Sequence, residues 1–173
     1  DGFEISTPAD AVESIARALL EHPSVAMIGL GARDSLRLEA GFCLYGSDIN
    51  DQTTPVEAGI GWTIQKIRRS NGERAGGFPG ADVILSQLKR GANRIRVGLT
   101  PVVKTPVRRG AQLFADEETP TPIGIVTSGG FGPSAEAFVA MAYLDTATAR
   151  MRPTIYADVR GKRAALRITD LPF

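Results

Sequence analysis

The sequence is poor in the residues from which many catalytic and metal-binding sites are built. Its one cysteine, Cys43, cannot close an internal disulfide, and such a chain suits a reducing compartment. Its one histidine, His22, leaves no Ser-His-Asp set to assemble, and a single histidine with a single cysteine argues against a metal site. No apolar run approaches the roughly 20 residues that span a bilayer, and no signal peptide is visible. Neither sign of charge dominates: 20 basic against 19 acidic residues give a net charge of +1. Nothing in that balance requires a nucleic-acid or polyanion partner. An initiating methionine is missing too. The chain opens on Asp1-Gly2-Phe3-Glu4-Ile5-Ser6 and reads as the middle of a longer protein.

What is present suffices for a core, since 43% of the 173 residues are hydrophobic. The stretch Gly29 to Gly41 reads as a short helix with Leu36 and Ala40 on one face and Gly41 as its left-handed stop. Arg33, Asp34, Arg37 and Glu39 crowd onto it, with Arg33 in the first turn, where the helix dipole disfavours a cation. A solvated face with mixed ion pairs accounts for these charges, and so does a ligand-binding Arg33. Upstream, Phe3 and Ile5 alternate with Glu4 and Ser6 as in a half-buried strand. Thr7-Pro8-Ala9-Asp10 then reads as a capped helix start. Val12, Ile15, Ala16 and Leu19 give that helix an apolar face, and His22-Pro23 closes it. Val25 to Ile28 is a strand or a lead-in to the next helix.

Further on, Pro55 to Ala58 suits a helical turn and Gly61 to Gln65 alternates as a strand. Residues 66–77, rich in Arg, Lys, Gly and Ser, read as a mobile connector. Pro79 opens a helix that Gly91 stops. From about Asn93 short strands follow at regular spacing: 94–99, 107–114, 122–126, 139–144, 154–159 and 164–168, with a hairpin turn over Val159 to Arg163. The glycine-rich stretch Thr127 to Ser134 lacks P-loop chemistry and reads as a tight loop needing positive φ. Cys43, in an apolar stretch without a histidine partner, reads as a buried structural thiol. Glu4 is either an exposed carboxylate or one that faces a cleft and accepts two parallel hydrogen bonds. The expected fold class is α+β: an α/β part over residues 1–92, then a small antiparallel β-barrel over 93–173.

The segment Gly31-Ala32-Arg33-Asp34-Ser35-Leu36-Arg37-Leu38-Glu39-Ala40-Gly41, continued by Leu44-Tyr45-Gly46, resembles the signature of the aminomethyltransferase family, the T-protein of the glycine cleavage system. Asp1-Gly2-Phe3-Glu4-Ile5, Thr54-Pro55-Val56-Glu57, Gly61-Trp62-Thr63, Arg96-Val97-Gly98-Leu99, Gly124-Ile125-Val126-Thr127-Ser128-Gly129 and Leu171-Pro172-Phe173 stand in the same order. The resemblance spans the chain but covers only the C-terminal half of the family.

It implies three domains in a cloverleaf around folate, two related α/β (ferredoxin-like) domains and a C-terminal barrel. Residues 1–92 would be an incomplete folate-binding domain. The implied activity transfers the methylene carbon from the aminomethyl-dihydrolipoyl H-protein to tetrahydrofolate and releases ammonia. The implied partners are lipoylated H-protein and tetrahydrofolate, with no nucleic acid, membrane or metal. The implied location is the bacterial cytoplasm or the mitochondrial matrix. The family's folate-contacting glutamate and arginine fall on Glu4 and Arg33. Its catalytic aspartate and a further ligand-site tyrosine have no counterpart here, so the chain alone is expected to lack turnover and tight folate binding. Open edges and uncovered apolar faces in the first part are expected to favour self-association, whereas a clean monomer by light scattering would contradict this. A folate-dependent demethylase or sarcosine-type dehydrogenase domain shares the fold. A non-catalytic iron–sulphur maintenance protein fits less well, because Ala40 to Ser47 lacks that group's lysine and Gln-Glu pair.

Overall fold

A computed structural model describes residues 2–173; Asp1, the first residue of the motif that carries Glu4, lies outside the described residues. The chain divides into two compact parts, residues 1–33 and 34–173. In the first, residues 2–7 are irregular, and the strand expected over Phe3 to Ser6 is not formed. Alternation suits a strand, but a strand also needs a hydrogen-bonding neighbour. Helix α1 spans Val12–Leu20. It begins later than the Thr7 cap implies, because the Thr7 hydroxyl donates to the Pro8 carbonyl instead of capping. The apolar face is in place yet largely open, with Val12 52% and Leu19 48% exposed. Residues 25–29 are irregular, and helix α2, Leu30–Glu39, begins at the end of this part.

The second part is organised around a closed barrel. Its strands are β1 (Arg94–Pro101), β2 (Gln112–Phe114), β3 (Pro122–Gly132), β4 (Ala137–Asp145), β5 (Thr154–Val159) and β6 (Lys162–Thr169), antiparallel throughout in the order β1-β4-β3-β2-β5-β6. The alternation read from the sequence fixes which side chains point inward. Val97, Leu99, Leu113, Val126, Ala140, Ala142, Leu144, Ile155 and Leu166 fill the interior. On β4 the outward Val139 and Met141 are also buried, because Leu38 of α2 and the terminal Leu171 and Phe173 pack there. Burial on both faces gives β4 an unbroken apolar run.

The glycine-rich stretch is not the tight loop its composition suggests. β3 runs through it to Gly132, and the turn falls at residues 133–136, where Glu136 takes φ 49°. None of Gly129, Gly130 and Gly132 adopts positive φ. They are needed for space instead. A Cβ on Gly129 would lie 2.2 Å from the Val107 carbonyl oxygen, and one on Gly132 would lie 2.9 Å from Glu39 Cγ. Small residues here let α2 and the 107 segment lie flat on the sheet.

Two further expectations change. Within 107–114 only Gln112–Phe114 pairs as strand, since Gly110 turns the chain (φ 89°). Gly61 to Gln65 holds a 3-10 turn, Gly61–Thr63, not a strand. Residues 66–77 are braced: Arg68 donates to the Arg74 and Gly76 carbonyls, and Arg69 donates to those of Ile64 and Gly61. Helix α3, Ala81–Arg90, ends at Gly91 as expected (φ 88°), and helix α4, Thr146–Met151, is capped by Asp145.

Candidate functional site

The densest polar constellation lies where the later turns of α2 meet β3. Asp48, its side chain 0% exposed, accepts four hydrogen bonds. Oδ2 receives Arg37 Nη1 (2.7 Å), the Leu44 amide (2.9 Å) and the Ser128 hydroxyl (2.9 Å), and Oδ1 receives the Thr127 hydroxyl (2.6 Å). Arg37 in turn donates to Asp34 from Nε (2.8 Å) and Nη2 (2.6 Å), to the Phe42 carbonyl (3.3 Å) and to Ser128 (3.0 Å). A buried carboxylate tolerates loss of water only when paired and fully hydrogen-bonded, and Asp48 meets both conditions.

Two arginines of β1 hold the neighbouring segment on the barrel's outer face. Arg96 donates to the Ala58 (2.8 Å) and Gly41 (2.6 Å) carbonyls, and Arg94 pairs with Glu57 at 3.1 Å. Beneath this strap lie Cys43 and Tyr143. Burial pushes the Cys43 thiol up, against the opposing pull of Arg96, and pushes the Tyr143 phenol up more strongly. The Tyr143 hydroxyl is buried and has no hydrogen-bond partner among the described residues. Both groups therefore hold their protons in the fold after the unfolded chain has released them. Since their folded pKa values are raised, they favour the native state below the ordinary values of 9.0 and 10.0 and disfavour it as pH rises past them. Urea midpoints are expected to fall between pH 8 and pH 10.5. Cys43→Ala should remove the part of the fall that begins near pH 9, and an unchanged profile would contradict this account.

Neither Glu4 nor Arg33 contributes a side-chain hydrogen bond to this network among the described residues. Glu4 is exposed on the irregular segment, and Arg33 is exposed on the first turn of α2, where its amide donates to the Gly29 carbonyl (3.2 Å). No ion pair joins the two, and neither side chain forms one elsewhere among the described residues. Both are open acceptor or donor groups. Sequence reasoning did not find Asp48, Thr127 or Ser128. Asp48 lay in a polar loop, and the two hydroxyls were hidden by the glycines around them. The one available signal was the crowding of arginines and carboxylates on α2, which a solvated face explains equally well.

Residues 1–68 match the GCVT N-terminal domain, and residues 94–173 match the glycine cleavage T-protein C-terminal barrel domain. The chain belongs to the glycine cleavage T-protein family. Within the T-protein family, the chain is 47% identical over 173 residues to the mitochondrial aminomethyltransferase of Gallus gallus, covering all of this chain and 42% of that one. It is 43% identical to the mitochondrial aminomethyltransferase of Solanum tuberosum over 175 residues, with the same full coverage of this chain and 41% of the relative. The crystal structure of glycine cleavage system aminomethyltransferase T from Bartonella henselae matches with a TM-score of 0.82 and 43% identity, covering 95% of this chain and 44% of that chain. The chain thus spans about two-fifths of the length of the T-protein relatives it matches.

Proposed function

We propose that this chain is the folate-contacting and barrel portion of an aminomethyltransferase of the glycine cleavage system. The reaction takes the methylene carbon from the aminomethyl group on the dihydrolipoyl arm of H-protein, passes it to tetrahydrofolate and releases ammonia. Residues 1–92 form the part of a folate-binding domain present here, and residues 93–173 form the barrel domain. The Glu4 carboxylate accepts two parallel hydrogen bonds from the adjacent N–H and amino groups of the pterin. The Arg33 guanidinium donates to acceptor groups of the folate, a task that its planar fork suits better than a lysine. Glu4 and Arg33 bind and orient the folate, and the family aspartate that polarises the reacting folate nitrogen has no counterpart among residues 1–173. Lipoylated H-protein is the carbon donor. The setting is the bacterial cytoplasm or the mitochondrial matrix. No helix among the described residues is long and apolar enough to cross a membrane.

The observation that carries this reading is 47% identity over all 173 residues with an aminomethyltransferase. The test is ammonia release and formation of 5,10-methylenetetrahydrofolate from aminomethylated H-protein and tetrahydrofolate. The longest natural polypeptide that carries this sequence should turn over, and residues 1–173 alone should not. Inactivity of that longer polypeptide would overturn the function. Full activity of residues 1–173 would overturn the division of labour.

A further inference from the structure

Arg33 and Arg37 stand one turn apart on a single continuous helix, yet their surroundings are opposite. Arg37 donates five hydrogen bonds, to Asp34 twice, Asp48, Ser128 and the Phe42 carbonyl, and a guanidinium has five N–H groups to give. Its side chain is 12% exposed. Nothing remains with which it could contact a ligand. Arg33 is exposed, and no carboxylate pairs with it among the described residues.

The arrangement of charge explains why the second arginine leaves the first free. Like charges at i and i+4 on a helix repel. Asp34 and Asp48 convert Arg37 from a bare cation into a cluster with one net negative charge, so Arg33 has no repelling neighbour below it. Asp34 is itself 59% exposed and lies next to Arg33 in the chain. The two bonds from Arg37 keep that carboxylate turned down the helix. The bonds to Asp48 and Ser128 fasten the helix axis to the barrel strand.

We propose that Arg37 is a positioning residue for ligand binding at Arg33. By tying residues 34–39 of α2 to Asp48 and Ser128 and by holding Asp34, it keeps the preceding turn of the same helix formed and leaves the Arg33 guanidinium without a carboxylate partner among the described residues. This rests on the reading that Arg33 contacts folate. Arg37→Met keeps much of the apolar stem, removes all five bonds and releases Asp34. Arg37→Lys restores the charge but not the fork, so it can serve one carboxylate at a time.

The test uses the longest natural polypeptide that carries this sequence, with tetrahydrofolate as the probe. Arg37→Met is expected to raise the Kd for tetrahydrofolate about tenfold, within the hundredfold that a misplacement of roughly 1 Å can cost. Arg37→Lys should fall between Met and the native residue, and kcat at saturating tetrahydrofolate should change less than the Kd. Amide hydrogen exchange across residues 34–39 should quicken in both variants. A merely structural role would lower the melting midpoint and leave the affinity of the folded protein unchanged. That result in Arg37→Lys, which keeps the charge and is the milder change, would overturn the inference even if Arg37→Met failed to fold. Arg33→Ala separates the two ideas. If it leaves the Kd unchanged, the folate reading itself falls. If it weakens binding while both Arg37 variants bind as the native protein does, only the positioning role falls.

Discussion

Replacement of Asp48 by alanine is expected to lower the stability of the fold by about 3–5 kcal/mol, the range measured when one partner of a buried ion pair is removed. The estimate stands on what remains behind. Arg37, 12% exposed, would keep its positive charge with only the exposed Asp34 as a counter-ion. The Leu44 amide and the Ser128 hydroxyl would lose their acceptor within the same pocket, and the Thr127 hydroxyl would turn to the Met141 carbonyl. A loss of that size is a large share of the roughly 5–15 kcal/mol by which domains are stable. Ser128→Ala, which deletes one neutral partner, is expected to cost only about 1 kcal/mol. Urea denaturation of residues 1–173 followed by tryptophan fluorescence and circular dichroism measures both. A midpoint for Asp48→Ala equal to that of Ser128→Ala would show that the carboxylate is not what holds α2 to β3.

Joint replacement of Glu4 and Arg33 by alanine should weaken tetrahydrofolate binding by about a hundred- to ten-thousandfold in the longest natural polypeptide that carries this sequence. Hydrogen bonds to charged groups contribute about 1.5–3 kcal/mol each, and each 1.4 kcal/mol is a factor of ten in Kd. Stability should hardly move, because both side chains are exposed and outside any ion pair of the described residues. That contrast with Asp48 makes the experiment decisive. Calorimetric titration gives the Kd directly, and retention of native affinity by the double variant would end the proposal for both residues.

Reading the sequence succeeded where pattern and partner coincide. Strands β1, β5 and β6 show inward apolar residues at alternate positions, and the barrel supplies each of them with a hydrogen-bonding neighbour, so period places them. The β5–β6 hairpin was legible from Arg160-Gly161, whose φ values of 55° and 77° are those such a turn requires. Residues 3–6 and 61–65 carry the same alternation, and it misleads there, because no strand among the described residues pairs with them. Alternation is a property of the segment, whereas pairing is a property of its surroundings. The 66–77 stretch failed in the opposite sense. Its composition suggested mobility, but arginines that donate to backbone carbonyls hold it, and composition does not reveal such bonds. At the candidate site, Glu4 and Arg33 came from the resemblance, not from physical pattern. Asp48 was invisible for a plain reason: its partners Thr127 and Ser128 are 79 and 80 positions away.

The pairing of β1 with β6 has a bearing on how the molecule is made. The ring is sealed by its earliest and latest strands, Gly98 lying opposite Thr169. A ribosome must therefore release the chain through residue 169 before the circuit can be completed, and until then β1 and β5 each present an unpaired border to other nascent chains. A premature stop codon within residues 162–169 would accordingly yield a curled open sheet, a substrate for chaperones and proteases, in place of a slightly shortened barrel.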